Sequence, residues 1–158
     1  FFTVYGPWGR PDMAAFLFTR AILAGKPIRV FNHGEMWRDF TYVEDLVCGI
    51  AGLIGAVPQR PETPADIAPG DSLSPAAPFR VVNIGNSEKV RLLDFIEAIE
   101  AEIGKKASRN YMPMQQGDVV STAADISRAA RMLGFHPGTM VPEGVPRFVA
   151  WYRDYHGV

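Results

Sequence analysis

Short runs rich in aromatic and β-branched residues alternate along this chain with longer runs that have the periodicity of helices. The short runs favour strands, because branched and ring side chains pack well on a pleated sheet. The predicted strands cover residues 1–5, 27–31, 37–41, 79–84 and 107–112. The predicted helices cover residues 12–24, 43–56, 92–103, 125–133 and 146–155. This alternation indicates an α/β fold.

The helix predicted at 92–103 has the clearest pattern. One apolar face is formed by Leu92, Phe95, Ile96, Ile99 and Ile103. Gly104 is expected to end this helix. Asp12 is expected to cap the first helix, since its carboxylate can accept the unpaired N–H groups there. Pro146 costs about 3 kcal/mol inside a helix, so the last helix is expected to begin near it.

Residues 58–78 interrupt the alternation. They contain six prolines and no aromatic residue, and they show neither helical nor strand periodicity. A linker between two domains would have the same composition. Because motifs lie on both sides of the segment and a strand is expected directly after it, we interpret it as a mobile surface insertion. Residues 1–158 are then one domain.

Composition argues against several classes of partner. The 16 lysines and arginines are balanced by 17 acids, with a net charge of −1. A basic nucleic-acid surface or a polybasic membrane patch is therefore not expected. The longest uncharged apolar stretch, 46–57, is shorter than the roughly 20 residues of a membrane span and is expected to lie in the core. Cys48, the only cysteine, is expected to be a packed, reduced thiol, which suits the cytoplasm.

The first residue, Phe1, opens a predicted strand, so the sequence is expected to begin inside a domain.

Three glycines resemble a cofactor-binding motif. Gly49, Gly52 and Gly55 have the G-x-x-G-x-x-G spacing of a dinucleotide-binding turn, but a proline-rich segment follows where that turn needs a helix. The favoured interpretation is a helix whose small residues allow close packing.

Other catalytic signatures are missing from the sequence. It has no nucleophile elbow, no Walker A loop and no H-E-x-x-H pair. No tyrosine is followed by a lysine four positions later. The three histidines are far apart in the sequence, so turn or solvated positions are expected rather than a metal or acid/base set.

Four segments in order carry a resemblance to a known family. They are FFTVYGPWGRPDM at 1–13, NHGEMWRDFTYVED at 32–45, VNIGN at 82–86 and MPMQQGDV at 112–119. Together they resemble the C-terminal half of extended short-chain dehydrogenases/reductases, the NAD-dependent epimerase/dehydratase family, and especially UDP-glucuronate 4-epimerases. The resemblance implies the C-terminal part of a doubly wound Rossmann-type fold, with its smaller α/β substrate-binding lobe.

The same resemblance implies the chemistry of the parent enzyme. Such an enzyme interconverts UDP-glucuronate and UDP-galacturonate with NAD, which takes a hydride from C4 of the sugar and returns it to the opposite face. In the family, the glycine-rich NAD turn and the Tyr-x-x-x-Lys pair belong to the N-terminal half. This chain alone is therefore expected to be inactive, to contain no catalytic residue and to bind NAD weakly. The parent is expected to be a cytoplasmic homodimer that binds a UDP-sugar.

The resemblance also implies a substrate site. Its residues are Thr3, Arg10, Phe31, Arg38, Gln115 and Asp118. Arg38 and Arg10 match arginines near the diphosphate, and a guanidinium can donate two parallel hydrogen bonds to phosphate oxygens. Thr3 matches a residue at the sugar end, and Phe31 matches an aromatic contact of the uracil ring. The residues alone leave open that Arg38 only pairs with an acid and that Phe31 is an ordinary core residue.

Two other functional classes also stay open. Another extended-family enzyme, such as a nucleotide-sugar 4,6-dehydratase or decarboxylase, would share the diphosphate contacts but differ at the sugar. A non-catalytic fragment that binds a sugar nucleotide is the second alternative.

Overall fold

The computed structural model describes residues 1–158 as five strands, five α-helices and two short 3-10 helices. Strands β1 to β5 are Thr3–Tyr5, Ile28–Val30, Trp37–Tyr42, Lys89–Arg91 and Arg109–Tyr111. Helices α1 to α5 are Ala14–Leu23, Val43–Gly55, Leu92–Ile103, Ser127–Leu133 and Val141–His156. The 3-10 helices are Phe31–Gly34 and Pro64–Asp66. The predicted α/β alternation is confirmed, and none of the helices has the length and hydropathy to cross a bilayer.

The strands form two small sheets. In the first, β3 lies in the centre, parallel to β1 and antiparallel to β4. In the second, β2 and β5 pair in parallel. Strand β1 is at the edge of its sheet, so its outer main-chain groups face no strand of this chain. The register places Thr3 opposite Phe40, which fixes the start of β1 beside the middle of β3.

The strand predicted at 79–84 is wrong. The main-chain groups of Val81 are instead taken by side chains: its N–H donates to Oγ of Ser72 at 2.9 Å, and Arg128 donates to its carbonyl at 2.8 Å. A strand would need those groups for a neighbouring strand. The strand that does form lies further on, at β4, whose sequence Lys-Val-Arg has too little apolar character to be recognised.

Helices α1 and α5 do not begin as predicted. Asp12 does not cap α1, because its carboxylate accepts hydrogen bonds from Arg10 and the helix starts beyond it. Helix α5 begins at Val141, with Pro146 in its interior. Its buried apolar face includes Val145, Phe148, Val149 and Tyr152. Burial of this face offsets the hydrogen bond that the proline removes.

The main core lies between the sheets and helices α1, α3 and α5. Phe40 of β3 stacks on Phe95 of α3, with 3.9 Å between the ring centroids. Tyr5 of β1 packs edge-on against Phe95 at 5.5 Å. Large rings in contact dominate the hydrophobic stabilisation of a small domain. The apolar face predicted for α3 is confirmed, since Phe95, Ile96 and Ile99 are fully buried.

Helix α2 confirms the packing role for Gly49, whereas Gly55 has no neighbour within 4 Å of its Cβ position. A Cβ atom on Gly49 would lie 3.1 Å from the side chain of Ile84 and 3.2 Å from that of Phe135. All three spaced glycines are inside the helix, so they form no phosphate-binding turn. The expectation that residues 46–57 lie in the core is wrong for most of the segment, since only Leu46 and Gly49 are buried. Cys48 is exposed instead of packed, because it lies on the side of α2 that faces away from the sheet.

Residues 58–78 run over the surface with one 3-10 helix and no strand. Arg128 of α4 donates to Oγ of Ser72 at 2.9 Å and to the carbonyl of Gly70 at 2.7 Å. The Asp71 carboxylate pairs with Arg80 at 3.1 Å. These contacts attach the second half of the segment to the domain. The mobility of the segment stays a prediction.

An aromatic cluster joins the beginning and the end of the chain. The ring of Trp8, in the loop after β1, lies 5.3 Å from Trp151 and 4.9 Å from Tyr155 of α5. Trp8 has a φ of 62°, a left-handed conformation that bulky residues rarely adopt. The cluster therefore holds the loop after β1 against the last helix.

Candidate functional site

A cavity of about 950 Å³ is bordered by α1, β2, β3 and the loop around residues 115–118. Five of the six predicted substrate-binding residues line it: Thr3, Phe31, Arg38, Gln115 and Asp118. Its volume is in the range of small-molecule sites. Arg10 does not line this cavity. It is exposed and donates a hydrogen bond of 3.1 Å to Asp12, a residue that does border the cavity.

Arg38 of β3 is held by three hydrogen bonds. Its Nη1 donates to the carbonyls of Trp37 at 2.9 Å and Val120 at 3.3 Å. Its Nη2 donates to the Asp118 carboxylate at 2.8 Å. A guanidinium has five N–H groups, so two donors are left for a ligand. Arg38 therefore both lines a cavity shared with the first strand and pairs with an acid.

Asp39, the next residue of β3, supports this arrangement from the opposite face of the strand. Its carboxylate is fully buried and accepts backbone N–H bonds from Asn86 at 2.7 Å, Ser87 at 2.9 Å and Ala124 at 2.9 Å. It thereby joins β3 to the 85–87 turn and to the segment that follows Asp118. Sequence reasoning missed this role. The available signal was an acid inside the predicted strand 37–41, because a carboxylate that becomes buried there needs such donors.

The region around Phe31 is shaped by two residues in the left-handed conformation. Asn32 and His33 have φ values of 48° and 52°, which turn the chain sharply after β2. Phe31 is half-buried at the cavity wall, and the guanidinium carbon of Arg29 lies 5.8 Å from its ring centroid. An aromatic face next to a cation is a suitable platform for a planar ring.

The charge of the lining favours an anion. Arg20, Lys26 and Arg29 border the cavity, and none of them forms an ion pair. Together with Arg38 they outnumber the two lining acids, Asp12 and Asp118. A cleft with excess positive charge attracts anionic ligands. Sequence reasoning missed these three cations, because isolated charges on a helix, a loop and a strand carry no distinguishing pattern.

Gln115 and Asp118 belong to a tight turn. The N–H of Asp118 donates to the carbonyl of Gln115 at 3.2 Å, and Gly117 between them has a φ of 82°. Glycine adopts this left-handed conformation without strain. The Asp118 carboxylate also accepts the N–H of Val119 at 2.8 Å. The turn therefore orients Asp118 toward Arg38.

Two titratable groups outside the cavity lining have pKa values shifted by their surroundings. Burial raises the pKa of the Tyr5 hydroxyl, which has no hydrogen-bond partner. Burial also acts to raise the pKa of Glu100, but hydrogen bonds from Lys106, Arg109 and the N–H of Ala107 hold that pKa below its ordinary value. No three His, Cys, Asp or Glu side chains lie together in a way that could hold a metal ion. The geometry of the cavity suits the binding of an anion.

Comparison with known proteins gives this cavity a family context. Residues 1–64 match the model of the NAD dependent epimerase/dehydratase family. Over 96% of its length, the chain is 49% identical to a probable UDP-glucuronate 4-epimerase of Rhizobium meliloti (strain 1021), and it covers 45% of that protein. It is 44% identical, over 99% of its length, to UDP-glucuronate 4-epimerase 2 of Arabidopsis thaliana, of which it covers 36%.

A solved structure confirms the expected fold. The UDP-glucuronic acid 4-epimerase of Bacillus cereus, in complex with UDP-glucuronic acid and NAD, superposes with a TM-score of 0.78 at 31% identity. The match covers 98% of this chain and 44% of that chain. The chain thus spans about half the length of the first relatives that it matches. The predicted resemblance and the Rossmann-type fold class are both confirmed.

Proposed function

We infer that this chain forms the nucleotide-sugar-binding part of a UDP-glucuronate 4-epimerase of the NAD-dependent epimerase/dehydratase family, whose model matches residues 1–64. The whole enzyme would interconvert UDP-glucuronate and UDP-galacturonate. The observation that carries this proposal is the position of Arg38, with two free donors, in a cavity that also contains Thr3 and Phe31. The names of the relatives support the choice of sugar.

In this proposal Arg38 binds the diphosphate. Hydrogen bonds between a guanidinium and phosphate oxygens are charge-assisted, and each contributes about 1.5–3 kcal/mol. The carbonyls of Trp37 and Val120 already orient the guanidinium, so little side-chain entropy is lost when the ligand binds. Arg20, Lys26 and Arg29 add long-range attraction without a fixed geometry.

Asp118 positions Arg38 in this proposal. A carboxylate 2.8 Å from the guanidinium cannot itself approach the diphosphate without repulsion. Its contribution is to hold the Gln115–Asp118 turn against β3 and to keep the guanidinium group of Arg38 in the cavity. Gln115, on the same turn, is free to contact the ligand.

Phe31 and Thr3 are assigned to opposite ends of the ligand. Phe31, half-buried at the cavity wall, turns its ring toward the uracil ring in this proposal. The Thr3 hydroxyl can both donate hydrogen bonds to the sugar and accept them from it. Arg10 is assigned no direct contact, because it is paired with Asp12 outside the cavity. A cytoplasmic location and a homodimeric parent enzyme are part of the same proposal.

The described residues do not fit an NAD site. Their G-x-x-G-x-x-G spacing lies within α2, where Gly49 faces Ile84 and Phe135 and leaves no room for a pyrophosphate. The chain alone is expected to bind NAD weakly and to show no epimerisation.

Calorimetry with UDP and UDP-glucuronate tests the proposal. Arg38→Ala should weaken UDP binding about 10- to 100-fold, which corresponds to about 1.4–2.7 kcal/mol. Arg38→Lys is the matched control for charge. It should bind UDP more tightly than Arg38→Ala but more weakly than the wild type, since an ammonium group cannot donate two parallel hydrogen bonds to the diphosphate. Equal UDP affinity in the wild type and in Arg38→Ala would contradict the assignment, as would tight NAD binding by this chain.

A panel of UDP- and dTDP-sugars separates the alternatives. A UDP-glucuronate 4-epimerase should prefer UDP-glucuronate and UDP-galacturonate, while a dTDP-sugar 4,6-dehydratase should prefer dTDP-glucose. Thermal shift measures this preference, because a ligand that binds only the folded state raises the unfolding temperature, and at equal concentration a tighter ligand raises it more.

A further inference from the structure

The loop that joins β1 to α1 lies at the Thr3 end of the cavity. Residues 6–12 are called the first loop below. Thr3 precedes this loop, Met13 and Ala14 follow it, and all three line the cavity. Asp12, in the loop itself, lines it as well. Because Thr3 is the residue assigned to the sugar, a shift of the first loop changes the cavity at the sugar end.

The first loop has few contacts of its own. Its hydrogen bonds are local: the N–H of Gly9 donates to the carbonyl of Gly6 at 3.3 Å, and Arg10 donates to the Asp12 carboxylate at 3.1 Å. No hydrogen bond joins residues 7–12 to another strand or helix. The loop is therefore held in place by side-chain packing and not by main-chain pairing.

Trp8 supplies the packing contact that holds the first loop. Its indole ring lies against Trp151 and Tyr155 of α5, at centroid distances of 5.3 and 4.9 Å. This contact differs from ordinary core packing, because Trp8 is 73% exposed and its φ of 62° is in the left-handed region. Strained residues persist only where the surrounding structure holds them, and they are concentrated at functional sites. The strain at Trp8 therefore points to a function for the ring in this position.

The first loop has open space on both sides. Between it and β1 lies a crevice of about 10 Å³, lined by Gly9 and Arg10 of the loop and by Thr3 of the strand. On its outer side, a groove of about 270 Å³ is lined by the loop, by α1 and by α5, and includes Pro11 and Arg20. A loop between two open spaces can move without displacing close-packed side chains. The contact of the indole ring with α5 thus determines where the loop stays.

We propose that Trp8 is a positioning residue for sugar recognition, which anchors the first loop on α5 and thereby fixes the Thr3 end of the cavity around the glucuronate ring. This inference rests on the proposed function, in which Thr3 contacts the sugar. Trp8 does not line the cavity. It acts through Thr3, Asp12 and Met13 and does not touch the ligand.

Recognition of the diphosphate does not depend on Trp8 in this arrangement. The guanidinium of Arg38 is held by the carbonyls of Trp37 and Val120 and by the Asp118 carboxylate. None of these residues belongs to the first loop. The positioning role therefore predicts a separation that general misfolding would not produce: the contribution of the sugar to affinity falls, while that of the diphosphate stays.

Calorimetry on this chain with two ligands, UDP and UDP-glucuronate, measures that separation. The ratio of the two affinities gives the contribution of the sugar. The wild type should bind UDP-glucuronate about 5- to 10-fold more tightly than UDP, a difference of about 1.0–1.4 kcal/mol. Trp8→Gly should reduce this ratio to below about twofold and change the affinity for UDP by less than about twofold. Glycine is the chosen replacement because it adopts a φ of 62° without strain, so the native backbone stays accessible.

Three further variants separate the anchor from other effects of the substitution. Tyr155→Ala removes the α5 side of the contact and should lower the ratio to a similar extent, although Tyr155 does not line the cavity. Trp8→Phe keeps an aromatic ring against α5 and should recover at least about half of the lost ratio. Phe79→Gly is the matched control: it removes a ring of 58% exposure outside the aromatic cluster and should leave both affinities unchanged.

Hydrogen exchange locates the effect in the chain. In Trp8→Gly and in Tyr155→Ala, the amides of Gly9 and Met13 should exchange faster than in the wild type, because the local turns that hold them lose their anchor. The amide of Asp118, in the turn on the other side of the cavity, should exchange at the same rate as before. Unchanged exchange at Gly9 and Met13 would overturn the proposal, since the loop would then be held without the ring.

The calorimetric outcomes are equally decisive. An unchanged affinity ratio in Trp8→Gly would overturn the positioning role and leave the proposed function standing. Equal loss of affinity for both ligands, or no recovery in Trp8→Phe, would also overturn it, because either result indicates a general structural effect. A wild-type chain that binds UDP and UDP-glucuronate equally has no sugar recognition to position and would overturn it as well. A wild-type chain that binds neither ligand would refute the proposed function and the positioning role with it.

Discussion

Replacing Asp39 by asparagine should unfold the protein at markedly lower denaturant concentration. The carboxylate is completely buried, and each of its oxygens accepts two hydrogen bonds. Oδ1 accepts the N–H of Asn86 at 2.7 Å and the hydroxyl of Thr41 at 3.2 Å. Oδ2 accepts the N–H groups of Ser87 and Ala124, both at 2.9 Å. In asparagine one of these oxygens becomes an NH₂ group, which is a donor.

The expected magnitude follows from this geometry. An NH₂ group in place of Oδ2 leaves the N–H groups of Ser87 and Ala124 without an acceptor, and one in place of Oδ1 leaves the N–H of Asn86 without one, although the Thr41 hydroxyl can turn to accept. The remaining hydrogen bonds also lose a charged acceptor. A hydrogen bond to a charged group contributes about 1.5–3 kcal/mol, and an unsatisfied buried donor costs a similar amount. We therefore expect a loss of about 3–5 kcal/mol from the free energy of unfolding, out of the roughly 5–15 kcal/mol typical of a domain.

Urea unfolding measured by circular dichroism tests this value. With a slope of about 2 kcal/mol per M, the midpoint should fall by roughly 1.5–2.5 M. Asp94→Asn is the matched control, since Asp94 is exposed on α3 and should leave the midpoint unchanged. A decrease below about 1 kcal/mol for Asp39→Asn would refute the idea that the buried carboxylate joins β3 to the two neighbouring segments.

Three further predictions concern stability. Tyr5→Phe should raise the thermal unfolding temperature, because it removes a buried hydroxyl without a hydrogen-bond partner and so relieves about 1 kcal/mol; an unchanged or lower temperature would contradict this. Gly49→Leu should destabilise the protein by about 1–3 kcal/mol in urea, because the added side chain overpacks the contact with Ile84, whereas Gly55→Leu, in open space, should not. Glu100 has a folded-state pKa below its ordinary value: burial alone would raise it, but its hydrogen bonds outweigh that effect. Its stabilisation is therefore present above about pH 4.5 and lost as the pH falls through the lower, folded-state pKa. The free energy of unfolding should differ less between pH 6 and pH 3 in Glu100→Gln than in the wild type. An equal difference in the two proteins would show that Glu100 does not contribute to the pH dependence of stability.

Local periodicity was sufficient to predict the helices with a complete apolar face. Helix α3 begins and ends as its pattern indicates, and Gly104 ends it in the left-handed conformation. Helix α5 was predicted as well, but the cost of a proline inside a helix placed its predicted start near Pro146 instead of at Val141. The packing of Phe148 and Val149 into the core outweighs the lost hydrogen bond, and only tertiary structure contains that information.

Strand pairing could not be deduced in the same way. Residues 79–84 have the composition of a strand, yet Ser72 and Arg128 form hydrogen bonds with the main-chain groups of Val81. Ser72 belongs to the preceding surface segment and Arg128 to α4, so no local pattern could reveal these contacts. The site shows the same division. The motif resemblance pointed to Arg38 and Asp118, which line the cavity and whose role stays a prediction, while the positions of Asp39 and of the unpaired cations Arg20 and Arg29 followed only from their neighbours in space.

The contact between Trp8 and Tyr155 also sets an order of events during synthesis. Because it closes almost the entire chain into one loop, the turn after the first strand cannot acquire its final support until the last helix has left the ribosome. Until then, Trp8 and the rest of that turn would be open to proteases and chaperones, and the near-ultraviolet signal of the cluster should appear in the slowest refolding phase.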